Sequence, residues 1–272
     1  LHNDLQPLLV FEKLMEAVSQ EKNPLVVAYN LNIMRTIFWQ YLGEEEKNDL
    51  GEQVEKQLLK RILAEEDASI KKVLYRNLIS LTLSKPGGEQ LFELWKSKGS
   101  IIDLNLSESE LVTLAYHVKL RQVEGANNIS NEQLSLLKNV DRVKRMKFII
   151  PALSAEEAER DAFFESLKIP GNRASEPWVI EAISFLHHPL RQKTSARYVE
   201  ESLQMIEEIQ ETGDIFFPAR WLENTLGAYR SAAVAETVNT FLKSEPDLSP
   251  KLKDKVLQAA DMLSRTSGIT DA

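Results

Sequence analysis

The side chains able to hold a metal or carry protons through a reaction are few. Histidine occurs only at positions 2, 117, 187 and 188, and cysteine is absent. Without thiols there is no thiolate zinc site, no cysteine nucleophile and no disulfide framework. The spacing His-Glu-x-x-His, which presents two imidazoles and a general base to zinc from one helix face, does not occur. A Walker loop, a Gly-x-Ser-x-Gly elbow, an EF-hand loop and a dinucleotide fingerprint are also missing. His187 and His188 are adjacent, and neighbouring side chains on a helix diverge, which is poor geometry for chelation. Just ahead of Pro189, they read as last-turn imidazoles complementing the carboxyl end of a helix dipole. Carboxylates come in runs such as Glu44-Glu45-Glu46, Glu156-Glu157 and Glu200-Glu201, which suit helix starts and solvated faces better than a desolvated acid–base pair. The chain alone is therefore expected to carry no catalytic residue, no metal ligand set and no cofactor.

Charge narrows the partners. The 272 residues hold 33 Lys and Arg against 41 Asp and Glu, a formal charge of −8, so phosphate backbones are repelled and no nucleic-acid partner is expected. The basic stretch Lys138, Arg142, Lys144, Arg145 and Lys147 lacks interleaved aromatics and reads as a solvated face. No apolar run approaches the roughly 18 residues of a membrane span. The start Leu1-His2-Asn3-Asp4 has neither an initiator Met nor a signal-peptide pattern, and is expected to lie inside a longer chain of undetermined compartment.

The elements behind these residues are helices from end to end. Asn23-Pro24 reads as N-cap and N1, followed by Val27, Leu31, Met34, Phe38 and Tyr41 at helical spacing, with Gly43 as the stop. Leu50, Val54, Leu58 and Ile62 form a second stripe, and Asp67 caps a third helix that Pro86-Gly87-Gly88 breaks off. Ser107 with Glu110, Ser130 with Gln133 and Ser154 with Glu157 match the capping box. Ser231 and Ser249-Pro250 open the last two helices. No stretch alternates with period two, so essentially no strand is expected. Roughly fourteen helical segments joined by short loops predict antiparallel pairs, and pairs recurring about every 35–45 residues predict an all-α, HEAT- or armadillo-like superhelical arch. Residues 1–272 read as one such domain, with a bend near 168–177 where Pro170 and Gly171 cluster.

The stretch from Pro177 to Tyr229 is more specific. It contains Pro177-Trp178-Val179-Ile180-Glu181-Ala182, Leu186-His187-His188-Pro189-Leu190-Arg191 and Gly213-Asp214-Ile215-Phe216-Phe217-Pro218-Ala219-Arg220-Trp221-Leu222. Read physically, Gly213 ends a helix at positive φ, Phe216 and Phe217 plug the core, and Pro218 starts the next helix. The stretch resembles the C-terminal helical domain of zinc aminopeptidases of the aminopeptidase N type, particularly their bacterial branch. Ile37-Phe38-Trp39, Pro151-Ala152-Leu153-Ser154 and Arg160-Asp161-Ala162-Phe163-Phe164 are similar to the same domain. The resemblance implies a helical accessory domain that closes a chamber over the zinc site and helps select peptides. Zinc would belong to an upstream catalytic domain, since that family's zinc motif and Gly-x-Met-x-Asn loop have no counterpart here. The implied partners are that catalytic domain and peptide substrates. Arg191, Arg220, Trp221 and Tyr229 are the candidates for the chamber face, because guanidinium and aromatic groups suit a peptide's carboxylate end. An independent helical-repeat interaction scaffold is the other reading of the same pattern.

Overall fold

A computed structural model describes residues 6–267. His2 lies outside the described residues. The helices run in chain order as α1 (Pro7–Gln20), α2 (Pro24–Thr36), α3 (Glu44–Ala64), α4 (Ala68–Leu81), α5 (Lys85–Lys96), α6 (Glu108–Leu120) and α7 (Ile129–Leu136). They continue with α8 (Val140–Ile149), α9 (Glu157–Leu167), α10 (Glu176–Leu186), α11 (Gln192–Ser195), α12 (Val199–Gln204) and α13 (Ile206–Thr212). The last are α14 (Phe217–Leu226), α15 (Ala232–Ser244), α16 (Pro250–Ala259) and α17 (Asp261–Thr266). The described residues contain no strand, so the all-α fold follows the hydrophobic spacing.

The chain forms two compact units, residues 1–137 and 138–272. The Pro-Gly cluster expected to mark a bend falls inside the second unit, as a short 3-10 turn at Pro170–Arg173. In the first unit, consecutive helices pair as α1 with α2, α3 with α4 and α5 with α6. Alternate helices also stack, α1 on α3 on α5 and α2 on α4, giving two layers. In the second unit α8, α10, α14 and α16 follow one another in contact, while α12 joins α14 to α15. This is how a helix with one apolar stripe buries it: against its hairpin partner and against the next pair.

Local signals explain the starts. Asn23 Oδ1 accepts from the Leu25 amide at 3.0 Å, and Asp67 Oδ1 accepts from the Ser69 and Ile70 amides at 2.8 and 3.1 Å. Val27, Leu31, Met34 and Phe38 of the α2 stripe are all fully buried. Beyond α2 the chain widens into a π turn at Ile37–Tyr41, closed by the Leu42 amide on the Ile37 carbonyl at 3.1 Å. That wider turn lets Ile37, Phe38, Trp39 and Gln40 all face inward, and Trp39 Nε1 donates to the Ser80 carbonyl at 3.0 Å.

Several expected boundaries move. Gly43 is the N-cap of α3, its amide donating to Glu46 Oε2 at 2.8 Å, because Leu42 already ends the π turn. Of the three capping boxes only Ser107–Glu110 forms. Ser130 is inside α7, and Ser154 Oγ accepts from the Glu156 amide two residues on, so α9 starts later. Pro86-Gly87-Gly88 does not break the chain but makes the first turn of α5, with Ser84 as N-cap. The glycines are there for Glu55. Its buried carboxylate accepts from the Leu83 and Ser84 amides at 2.6 and 2.8 Å, and a Cβ on Gly87 would sit within 3 Å of all three carboxyl atoms. Gly87→Ala is therefore expected to destabilise the first unit. The about 1 kcal/mol that Ala gains in helix propensity is outweighed by about 1–3 kcal/mol of overpacking and by displacing a carboxylate that caps two amides. A urea midpoint at or above that of the parent would show that Glu55 swings clear at no cost.

Candidate functional site

Several of the charged side chains buried in this protein serve its helix corners. At the α4–α5 corner, Glu55 takes the free amides while Arg121 takes carbonyls: its guanidinium donates to the Ile79 and Thr82 oxygens at 2.7–3.0 Å, and to the His117 oxygen of its own helix at 3.0 Å. Burial pushes the Arg121 pKa down to about 10, so the group stays charged at neutral pH.

The second unit repeats the device. Arg191 Nη1 and Nη2 donate to the Ala152 and Leu153 carbonyls at 2.7 and 2.6 Å. Arg160 donates to the Ser154 and Ala155 carbonyls, both at 2.8 Å. Arg173 holds the Leu167 carbonyl and the Glu208 carboxylate. Burial, and next the neighbouring Arg160 charge, bring Arg191 down to about 10. These orphan carbonyls lie where α8 and α9 end, the places at which a helix needs outside donors.

His187 is enclosed between α10 and the residues after α14. Its Nδ1 lies 2.7 Å from the Tyr229 hydroxyl, and the Tyr198 ring stands edge-on to the imidazole. Nε2 is buried and has no hydrogen-bond partner. Desolvation lowers the His187 pKa to about 3. The ring is thus neutral at physiological pH, which corrects the expectation of an imidazolium complementing the dipole of α10. His188 Nδ1 accepts from the Leu190 amide at 3.2 Å.

Of the four residues expected on a chamber face, three are interior. Arg191 serves the corner carbonyls, Trp221 is fully buried with Nε1 donating to the Ser202 carbonyl at 3.1 Å, and Tyr229 meets His187. Arg220 alone of the four is exposed. Its replacement by alanine is expected to change unfolding free energy by no more than about 0.5 kcal/mol, as for most surface positions. A larger loss in thermal melting would mean that its guanidinium carries fold contacts. Sequence reasoning missed the corner roles of Glu55, Arg121, Arg160 and Arg173: Glu55 and Arg121 reach the α4–α5 corner from 28–42 residues away, and the contacts of Arg160 and Arg173 to carbonyls five or six residues back carry no local motif.

Two readings of the 213–222 stretch also change. Gly213 has φ −99°, not a positive value. Glycine is required there by crowding: a Cβ would meet Phe217 Cδ1 at 2.5 Å and the Ile209 carbonyl oxygen at 2.9 Å. Phe217 is buried, as expected, but Phe216 is 63% exposed.

Among the described residues, no cluster of three or more His, Asp or Glu is placed to hold a metal ion, and no helix is long and apolar enough to cross a membrane. Of the basic stretch, Arg145 is paired with Glu181 at 2.6 Å and Lys138, Arg142, Lys144 and Lys147 are exposed. No model of a known protein family matches the chain, and no match is found among curated proteins.

Proposed function

We propose that this chain is the accessory C-terminal helical domain of a zinc-dependent aminopeptidase, closing the chamber over an active site carried by an upstream domain and contributing to peptide selection. The observation that carries the reading is how the family-like stretches meet. Arg191, at the end of Leu186–Arg191, binds the carbonyls of Ala152 and Leu153 in the Pro151–Ser154 stretch. Arg160, heading the next such stretch, binds the Ser154 carbonyl. Glu176, just ahead of Pro177, accepts from the Asp214 amide at 2.8 Å. Three of the family-like stretches thus share hydrogen bonds in the second unit, as a shared structural signature would. The chain supplies packing and surface in this reading, and Arg220 is the remaining candidate for touching a peptide's carboxylate.

The test uses the full-length protein. The reading frame upstream of Leu1 should encode His-Glu-x-x-His and a further Glu ligand, and the purified product should release N-terminal residues until a chelator stops it. An upstream frame without a metal motif would leave the second reading, an independent scaffold, which the two-layered stacking of helices also supports. Residues 1–272 alone are expected to retain no zinc through dialysis and to cleave no aminoacyl reporter, because a catalytic zinc needs three protein ligands and an open position. One equivalent of bound zinc with chelator-sensitive cleavage would reverse that assignment.

A further inference from the structure

The turn between α13 and α14 holds two large apolar side chains in water. Ile215 is 74% exposed and Phe216 63% exposed. They are not there through looseness. Asp214 Oδ1 accepts from the Phe216 and Phe217 amides at 2.7 and 2.8 Å, and the Asp214 amide is fixed on Glu176. Gly213 is packed against Phe217, and Phe217 and Trp221 anchor the start of α14 in the core, their rings 6.1 Å apart. Arg173, on the loop before α10, holds Glu208 of α13, and Glu176, at the start of α10, holds the Asp214 amide of the turn itself. The backbone is thus built to present these side chains, although the fold gains nothing from their exposure.

Charge restricts what can cover them. From Val199 to Glu223 the chain carries seven carboxylates and a single cation, Arg220; other elements bring Lys168 to Glu201, Arg173 to Glu208 and Lys255 to Gln210. Glu207, Glu211 and Asp214, all in the ten residues ahead of Phe217, are exposed. An anionic lipid surface would be repelled by this rim, and a second copy presenting the same turn would meet like charge.

We infer that the Ile215–Phe216 turn is a docking surface for a partner polypeptide segment in which lysine or arginine flanks a bulky apolar side chain. The apolar residue covers Phe216 and Ile215 while the cations reach the carboxylate rim, which supplies orientation and association rate. A preordered turn loses little conformational freedom on binding. The inference does not rest on the aminopeptidase reading.

The probe is a fluorescein-labelled synthetic helix of leucines and lysines, with two controls in which serine or glutamate replaces lysine. It is titrated into the 272-residue chain by fluorescence anisotropy, beside the double variant Ile215→Ser/Phe216→Ser. Because both side chains are already in water, the variant should fold with unchanged thermal melting. The Leu-Lys probe is expected to bind the parent, more weakly as salt rises, and to lose at least about tenfold in affinity for the double variant, the scale for removing a central apolar contact. The serine control should bind less well, and the glutamate control not at all. Equal binding to parent and double variant would overturn the proposal, since mere charge attraction survives the substitution. Binding of the parent to phosphatidylglycerol vesicles, lost in the double variant, would also overturn it in favour of a lipid surface. So would a dimer in sedimentation that the double variant abolishes, which would make the turn a contact between two copies.

Discussion

Alanine in place of Arg191 is expected to cost the second unit about 3–5 kcal/mol. Two carbonyls, those of Ala152 and Leu153, would lose donors at 2.7 and 2.6 Å inside the protein. A buried acceptor left unpaired costs about 1–3 kcal/mol, and the cavity left by the side chain adds to it. The nearby Arg160 charge repels Arg191, so its removal returns a little of this. Arg191→Met separates the contributions, keeping most of the packing while removing the donors, and should cost less than alanine but well above 1 kcal/mol. Urea unfolding gives the total, and amide hydrogen exchange places the loss: protection should fall in α8 and α10 and hold in residues 6–137. A loss below about 1 kcal/mol for both variants would mean that water replaces the guanidinium, and the corner assignment would fail.

The second large effect is one of pH. His187 has a folded pKa near 3, against an ordinary value of 6.5, because burial disfavours the imidazolium. Its depressed folded value means the unfolded chain binds the proton more tightly. Stability from this group is fully present above pH 6.5 and is lost as pH falls from 6.5 towards 3, at up to about 1.4 kcal/mol per pH unit. Between pH 7 and 5, where most carboxylates stay ionised, the loss should be about 2 kcal/mol. His187→Phe removes the titration, so its stability should be nearly level over the same range although lower overall, since Tyr229 loses its partner. Denaturant unfolding of both proteins at intervals of half a pH unit decides it. Parallel curves would show that the imidazole finds water or an acceptor when charged.

What could be read without coordinates follows from the range of each signal. Helix periodicity is local, so the stripes Val27–Phe38 and Leu58–Ile62 and the caps at Asn23, Asp67, Ser107 and Ser249 were legible. Pro86-Gly87-Gly88 was misread because a glycine pair signals either a break or a close approach, and only Glu55, far back in the chain, distinguishes them. Phe216 and Phe217 are identical in type and adjacent, and which one faces inward is set by the direction of α14, not by composition. Arg191 and Arg220 also looked alike. One lies against two carbonyls from a corner 38 and 39 residues earlier and the other is in solvent, a difference that only the stacking of helix pairs creates.

That same separation sets an order on synthesis. A ribosome adding about 5–20 residues per second releases the Ala152–Leu153 corner roughly 2–8 s before the guanidinium that completes it. During that interval the end of α8 is a nascent helix with unsatisfied carbonyls beside freshly exposed Met146 and Ile149, the kind of surface that holding chaperones recognise. The first unit passes through a wait of the same length for its carbonyls, since Arg121 follows Thr82 by 39 residues, although Glu55 is already in place to take the amides. Growth of such a chain is therefore a relay, in which each new helix pair releases the previous one from its dependence on outside help.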